Sequence, residues 1–339
     1  MKKIVLCVLI CILSVSVFAK VKFNGSFANS SGITVIDGKP DFTNISQLGM
    51  KLQNSGEGWR LFSDIKLSAY SGFDDAIIDK DIELDIARLY IKTNLGPANI
   101  ILGRDYLSFG TPFIFNTLEW TENSVVLDQT ALKPAINLVS ATLPIGAFGK
   151  FAAFVGGNDD MDVPLAGSEL VLGTSGFEGG LTYQHKDWHT HIVGGFIKAD
   201  LGVSLVATYA AHLQNVIVAS DKFNHSHEVG LGVDYSFPIN YSSLLVSQSF
   251  YFNSEGEKYH SYSSLALTID DFSSCGVDCL LSLTDFSGSV MPRYGMILLD
   301  GLDLNFGMGI NFGKENSELF INKMLTPRIA GMVKVTAKF

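Results

Sequence analysis

Apolar and polar side chains change places at nearly every step along much of this chain, most plainly at its end. In residues 328–339, Ile329, Val333, Val335, Ala337 and Phe339 share one parity with Gly331, and Arg328, Lys334, Thr336 and Lys338 share the other. Successive side chains of a strand point to opposite faces, so the pattern predicts a strand with one oily face and one wet, basic face. The same beat runs through Leu302, Leu304, Phe306, Met308, Ile310 and Phe312, which alternate with Asp303, Asn305, Gly307, Gly309 and Asn311. Earlier, Val21, Phe23 and Phe27 alternate with Lys22, Asn24 and Ser26, and Leu48, Met50 and Leu52 form a second oily row. Trp59, Leu61, Ile65 and Leu67 then oppose Arg60, Asp64, Lys66 and Ser68.

One stretch is out of step. Ala87, Leu89 and Ile91 oppose Arg88, Tyr90 and Lys92, yet the preceding Ile82, Leu84 and Ile86 lie on the other parity. A bulge near Ile86 would repair the frame. Farther on, oily rows are expected at Phe177, Leu181 and Tyr183, then at Trp188, Thr190, Ile192 and Phe196, then at Val203, Leu205, Ala207 and Tyr209. Another runs through Val229, Leu231, Val233, Tyr235 and Phe237. The total is 18 strands. Sixteen is the alternative, because residues 168–173 and 294–298 carry the weakest pattern.

Two features turn a set of two-faced strands into a membrane structure. Tight turns (Asn54 to Gly58, Asn94 to Ala98, Pro144 to Gly146, Pro238 to Tyr241, Asp300-Gly301) tend to alternate with longer loops, and aromatics such as Trp59, Tyr183, Tyr235, Phe237, Tyr259 and Phe312 gather near strand ends. A soluble sandwich has no need of either. In hydrocarbon every backbone N–H and C=O must be paired within the protein, so a β-sheet there has to close on itself. The pattern therefore predicts an all-β fold, a closed antiparallel transmembrane β-barrel of one domain over residues 20–339, with an even strand number and a long loop at about 107–132.

The first residues agree. Met1-Lys2-Lys3 precedes an apolar stretch from Ile4 to Phe18, with small Val17 and Ala19 placed for cleavage, so residues 1–19 read as a removed signal peptide. The formal charge of −10 becomes −12 once Lys2 and Lys3 are gone. An acidic chain argues against nucleic acid as a partner. Cys275 and Cys279 remain after cleavage; they are either bridged over a turn at Gly276-Val277-Asp278 or two free thiols on a lipid-facing strand. No cofactor motif is present.

The stretch Ala87-Arg-Leu-Tyr-Ile-Lys-Thr-Asn-Leu-Gly96, then Ile101-Leu-Gly-Arg-Asp-Tyr106 before a long loop, resembles the general bacterial porins. The terminal Phe339, with alternating apolar residues before it, is similar to that family's outer-membrane assembly signal. The acidic, glycine-rich sequence usual in the family's third loop is absent. The resemblance implies an outer-membrane channel for small hydrophilic solutes and ions, a homotrimer set in outer-membrane lipid, and insertion by the barrel-assembly machinery through the C-terminal strand. It also implies a third loop that folds back and narrows the pore, with Arg104 on a basic wall opposite it.

The residues supply such a wall independently. Arg60, Lys66, Arg88 and Lys92 share a wet face, and a hairpin with Thr93 opposite Asn99 would set Arg104 across from Arg88, with Asp105 turned outward. Glu119, Glu122 and Asp128 on the infolded loop would face them, giving a transverse field that orients polar solutes. The alternative leaves the loop outside and satisfies the basic residues with lumen carboxylates such as Asp64.

All seven histidines fall between His185 and His260, at loop-side strand ends. His189, His191, His212 and His260 have lumen-facing parity in this frame, so His189, His191 and His212 are candidate ligands for a transition metal. The blander reading makes the histidines polar rim residues of an aromatic girdle. A barrel hydrolase using His189 or His191 with Asp187 and Ser247, and a structural or adhesive barrel with a plugged lumen, are the competing functions. No spacing marks a catalytic triad, so a non-enzymatic channel is the expectation.

Overall fold

The computed structural model describes residues 21–36, 39–72, 82–107, 109–110, 115, 117–118, 135–158, 161, 163–186, 189–214, 224–314, 317–319 and 328–339. They form eighteen strands in chain order: β1 Val21–Ile36, β2 Lys39–Gly56, β3 Trp59–Ser71, β4 Ile82–Leu95, β5 Ala98–Tyr106, β6 Ala135–Ile145, β7 Gly149–Gly157, β8 Pro164–Thr174, β9 Phe177–Lys186, β10 Thr190–Asp200, β11 Ser204–Gln214, β12 Asn224–Ile239, β13 Ser242–Asn253, β14 Lys258–Thr268, β15 Ser273–Ser282, β16 Gly288–Leu299, β17 Leu302–Phe312 and β18 Ile329–Lys338. Each strand pairs antiparallel with its sequence neighbours, and β1 pairs with β18 from Ser26 opposite Lys338 to Val35 opposite Ile329. Reciprocal bonds between Gly25 and Phe339 (2.6 and 2.9 Å) finish the seam, so no edge is left unpaired. The two weakest predicted strands exist as β8 and β16, and the count is eighteen rather than sixteen.

Connections at one end are tight: residues 57–58, 96–97, 240–241 and 300–301 each join strands paired up to the turn. The opposite end carries the long connections, the longest between β5 and β6. Apolar side chains such as Phe23, Phe42, Leu181, Phe250, Leu265 and Phe306 stand exposed on the outer face. A wall this greasy on its outside is the inverse of a soluble sheet and matches a hydrocarbon surround. Among the described residues no helix is long and apolar enough to cross a membrane.

The predicted bulge is in β4. Asp64 pairs with Arg88 but Ile65 pairs with Ile86, leaving Ala87 as the extra residue. With it, Ile82, Leu84 and Ile86 return to the outer face beside Ala69, Leu67 and Ile65.

In β10 the prediction is reversed. Ile192 and Phe196 point inward and are buried, while Val193 and Ile197 face out at 45% and 54% exposure. Trp188 lies outside the described residues. Both parities of this strand are apolar, so alternation alone had no preference to express.

The cysteines take the second of their two readings. β15 runs extended through both, with Cys275 opposite Leu267 and Cys279 opposite Ser263, and both thiols are free on the outer face. The outer wall also holds a polar patch at β1 and β2. Asn29 donates to Asn44 (3.1 Å) and Ser46 (2.9 Å), and Asn44 donates to Ser31 (2.9 Å). These residues are level with Val333 and Val335 of β18, within its apolar stripe.

Candidate functional site

The long connection after β5 enters the barrel. Its Leu118 is 0% exposed and packs among Val171, Ile192, Phe196 and Ala210 of β8, β10 and β11. Phe115 packs with Tyr251, Tyr262 and Leu280 of β13, β14 and β15, and Phe109 with Phe154 and Leu165 of β7 and β8. Burying each of these large side chains stabilises the docked loop by about 1.5–3 kcal/mol. The inward turn of Ile192 and Phe196 has its cause here: the loop supplies an apolar partner inside the bore.

Polar contacts fix the loop's height. Gln184, fully buried, donates through Nε2 to the Leu118 carbonyl at 2.6 Å. Glu169, 1% exposed, accepts from the Gly110 N–H at 2.7 Å and pairs with Lys150 Nζ at 2.8 Å. Two glycines make room for the loop. A Cβ on Gly194 would lie 2.4 Å from Leu118, and one on Gly230 would lie 2.6 Å from the Phe115 carbonyl. All of these anchors lie on β7–β15. The sequence contained a hint, the apolar Phe113, Ile114, Phe115 and Leu118 inside a long loop, but nothing in it named the wall that Phe115 and Leu118 meet.

The basic wall lies on β3 and β4. Arg60 and Lys92 are directly paired, Lys66 is opposite Asp85, and Arg88 is opposite Asp64. Asp64, 4% exposed, is shared by Arg88 Nη2 (3.5 Å) and Lys51 Nζ (3.8 Å). The Arg88 guanidinium also stands 4.6 Å from the Phe62 ring centre and 5.1 Å from that of Tyr106. The lumen carboxylates thus pair with the basic row even though the loop is inside, combining parts of the two predicted arrangements.

Arg104 is placed differently. The hairpin pairs Asn94 with Asn99 and Leu89 with Arg104, one residue from the expected register. A one-residue slip exchanges the faces of a strand. Asp105 is therefore the residue beside Arg88, with Oδ1 4.0 Å from Nη1. Arg104 shares the parity of outward Leu102, and its Nε donates to the Ile86 carbonyl at 2.7 Å, on the edge of β4. Glu119, Glu122 and Asp128 lie outside the described residues.

The histidines divide between two faces. His212 and His260 are lumenal: His212 Nε2 is 3.5 Å from Glu228, and His260 stacks on Tyr251 with ring centres 5.6 Å apart. His191 faces outward, opposite His185, and its Nδ1 shares a 2.8 Å hydrogen bond with the Tyr183 hydroxyl. His227 and Tyr209 repeat that pair at 2.9 Å on β12 and β11. Ile192, not His191, is opposite His212, so those two imidazoles cannot share an ion across the wall. His189 stands exposed in the turn before β10, its N–H donating to the Lys186 carbonyl. Among the described residues no three His, Cys, Asp or Glu side chains converge as metal ligands. The outward rings sit where an interfacial girdle belongs.

The hydrolase grouping is likewise split: Ser247 pairs with Asp234 and Ser264 on the inner face, across the wall from His191. Asp187 lies outside the described residues.

No family model and no curated protein sequence matches this chain. Solved structures do. OccAB4 of Acinetobacter baumannii is 6% identical, over 94% of this chain and 98% of its own, with a TM-score of 0.64. OccK2 (OpdF) of Pseudomonas aeruginosa is 10% identical over the same shares, with TM-scores of 0.64 by itself and 0.57 in complex with glucuronate. OmpF of Salmonella typhi, in complex with daunomycin, is 12% identical over 95% of this chain and 98% of its own, with a TM-score of 0.51. The chain has the fold of the bacterial outer-membrane porins.

Proposed function

We propose that this chain is a non-enzymatic outer-membrane channel through which small hydrophilic solutes and ions diffuse passively. The observation that carries the reading is the contrast between two walls of one closed barrel. The long loop is packed against the inner face of β7–β15, while β3 and β4 present Arg60, Lys66, Arg88 and Lys92 with Asp64 and Asp85. A bore narrowed from one side and charged on the other filters solutes by size and charge. Glu119, Glu122 and Asp128 are proposed for the loop side of that constriction. Arg104 supports the wall from the edge of β4, and Asp105 takes the inward place. The solved neighbours in complex with glucuronate and with daunomycin, both small molecules, fit a channel of this kind.

Three accessory assignments belong with this reading. Residues 1–19 direct export and are removed. β18, with Phe339 directly after it, is the segment the barrel-assembly machinery would engage. The Asn29, Ser31, Asn44 and Ser46 patch is where a second copy would cover the outer wall, since uncharged polar groups at hydrocarbon depth favour protein over lipid as neighbour. A homotrimer would use it.

Planar-bilayer recording of the purified barrel tests the proposal. Steady open steps, with a reversal potential in a salt gradient, are expected. A barrel that inserts and stays silent would overturn it in favour of a plugged structural barrel.

A further inference from the structure

A second connection also enters the bore. Between β17 and β18, Leu319 is 8% exposed and shares one cluster with Phe115, Tyr251, Tyr262 and Leu280. Phe115 belongs to the long loop after β5, so two loops far apart in sequence insert into the same nest. Phe115 stacks on Tyr251 with ring centres 5.5 Å apart and on His260 at 6.4 Å.

The residues around Leu319 are fastened to the rim. The Leu319 N–H donates to Ser287 Oγ at 3.0 Å, and the Glu318 N–H donates to the Asp285 carboxylate. Asp285 is itself held by Ser287, whose Oγ and N–H donate to it at 2.6 and 2.9 Å. The Glu318 side chain turns back to the wall. It accepts from Ser282 Oγ at 2.7 Å and lies 3.2 Å from His260 Nε2 and 3.7 Å from Lys258 Nζ. His260 therefore contacts both loops, through its ring to Phe115 and through Nε2 to Glu318.

We propose that the β17–β18 loop is a clasp that holds the constriction loop in place, with Leu319 and Glu318 as positioning residues acting through Phe115 and His260. The bore's width is then set by two loops. Leu118 and Phe109 anchor the long loop to β7, β8, β10 and β11, and the clasp holds the part that reaches β13–β15. Loosening the clasp frees that part of the loop while the rest stays docked.

The proposal rests on the channel reading, so its test uses a readout that does not need conduction. Thr117, 4% exposed, lies on the long loop between Phe115 and Leu118. In the mature protein, residues 20–339, with Cys275→Ala and Cys279→Ala, a Thr117→Cys thiol should react slowly with a membrane-impermeant maleimide. Adding Leu319→Ala or Glu318→Gln should raise the labelling rate about tenfold or more, in line with deletion of a buried anchor. Asp285→Asn, which touches neither Phe115 nor Leu319, should act in the same direction. Parallel bilayer recordings should show rapid flicker between conductance levels in the same variants. Unchanged labelling in all three variants overturns the clasp. Faster labelling with no conductance in any protein, wild type included, would keep the clasp and remove the channel.

Discussion

The inner face of β7–β15 and the inner face of β3–β4 are built from the same two-residue alternation, yet they do opposite things. The first presents Phe154, Leu165, Val171, Ile192, Phe196, Tyr251, Tyr262 and Leu280, all buried. The second presents Arg60, Asp64, Lys66, Asp85, Arg88 and Lys92. Water can satisfy the charged wall, whereas an apolar lumenal wall must be covered, and the loop residues Phe109, Phe115 and Leu118 cover it. The inside of this barrel is therefore half a protein core and half an aqueous surface. Loop docking is a packing problem, and the solute filtering proposed for the bore is an electrostatic one.

That division has measurable consequences. Leu118→Asp should undo the covered wall most completely. It removes the packing and places a carboxylate in a dry nest, at a cost of about 5 kcal/mol or more. The expected readings are an enlarged, unsteady conductance and rapid labelling of Thr117→Cys, with the barrel still closed. Lys150→Met comes next. It leaves the buried Glu169 carboxylate without its cation, a loss of about 3 kcal/mol, since breaking a buried pair strands the remaining charge. Chemical denaturation followed by loop labelling should register it, and an unchanged midpoint would mean that Gly110 alone satisfies Glu169.

Lys66→Glu with Lys92→Glu should do the reverse. Their effect on stability should stay within about 1 kcal/mol, because charge pairs reached by solvent contribute little. The reversal potential should move toward cation preference. If selectivity is unmoved, the constriction is elsewhere.

The smallest effect expected is an acid response at the clasp. Burial opposes the charge on Asp285, but hydrogen bonds from Ser287 and from the Glu318 N–H outweigh it and hold the carboxyl at about 2, against an ordinary 3.8. Because the folded value is depressed, the stabilisation is fully present above 3.8 and is lost as the pH falls through about 2. The Asp285 anchor, facing Glu318 with His260 and Lys258 beyond it, should thus keep its carboxylate until the pH nears about 2, with its stabilisation undiminished down to 3.8. Wild-type labelling at Thr117→Cys should rise only below that, and Asp285→Asn should lose this acid step.

Much of this was legible beforehand. The outer face was readable because hydrocarbon leaves a residue no latitude: Phe23, Leu48, Ile91, Leu181, Phe306 and Val333 must face lipid, and a period of two follows. The Ala87 bulge was legible for the same reason, as the only way to keep Ile82, Leu84 and Ile86 on the greasy side. Arg104 and Asp105 were not. Both are charged, neither parity is forbidden at that depth near the rim, and the choice turned on a one-residue register set at the Gly96-Pro97 turn. The histidines failed similarly, since imidazole suits either a wet lumen or an interfacial girdle.

What the amino-acid order determined by itself was a closed, antiparallel cylinder with an oily outside, because alternation plus the impossibility of unpaired backbone in lipid admits little else. What only the tertiary structure decided was the inside. In β10 both faces are apolar, and Ile192 and Phe196 turned inward because Leu118, some seventy residues earlier, was there to meet them. Contacts of that kind depend on which loop reaches which wall, and a strand's own pattern carries no record of a partner so far away.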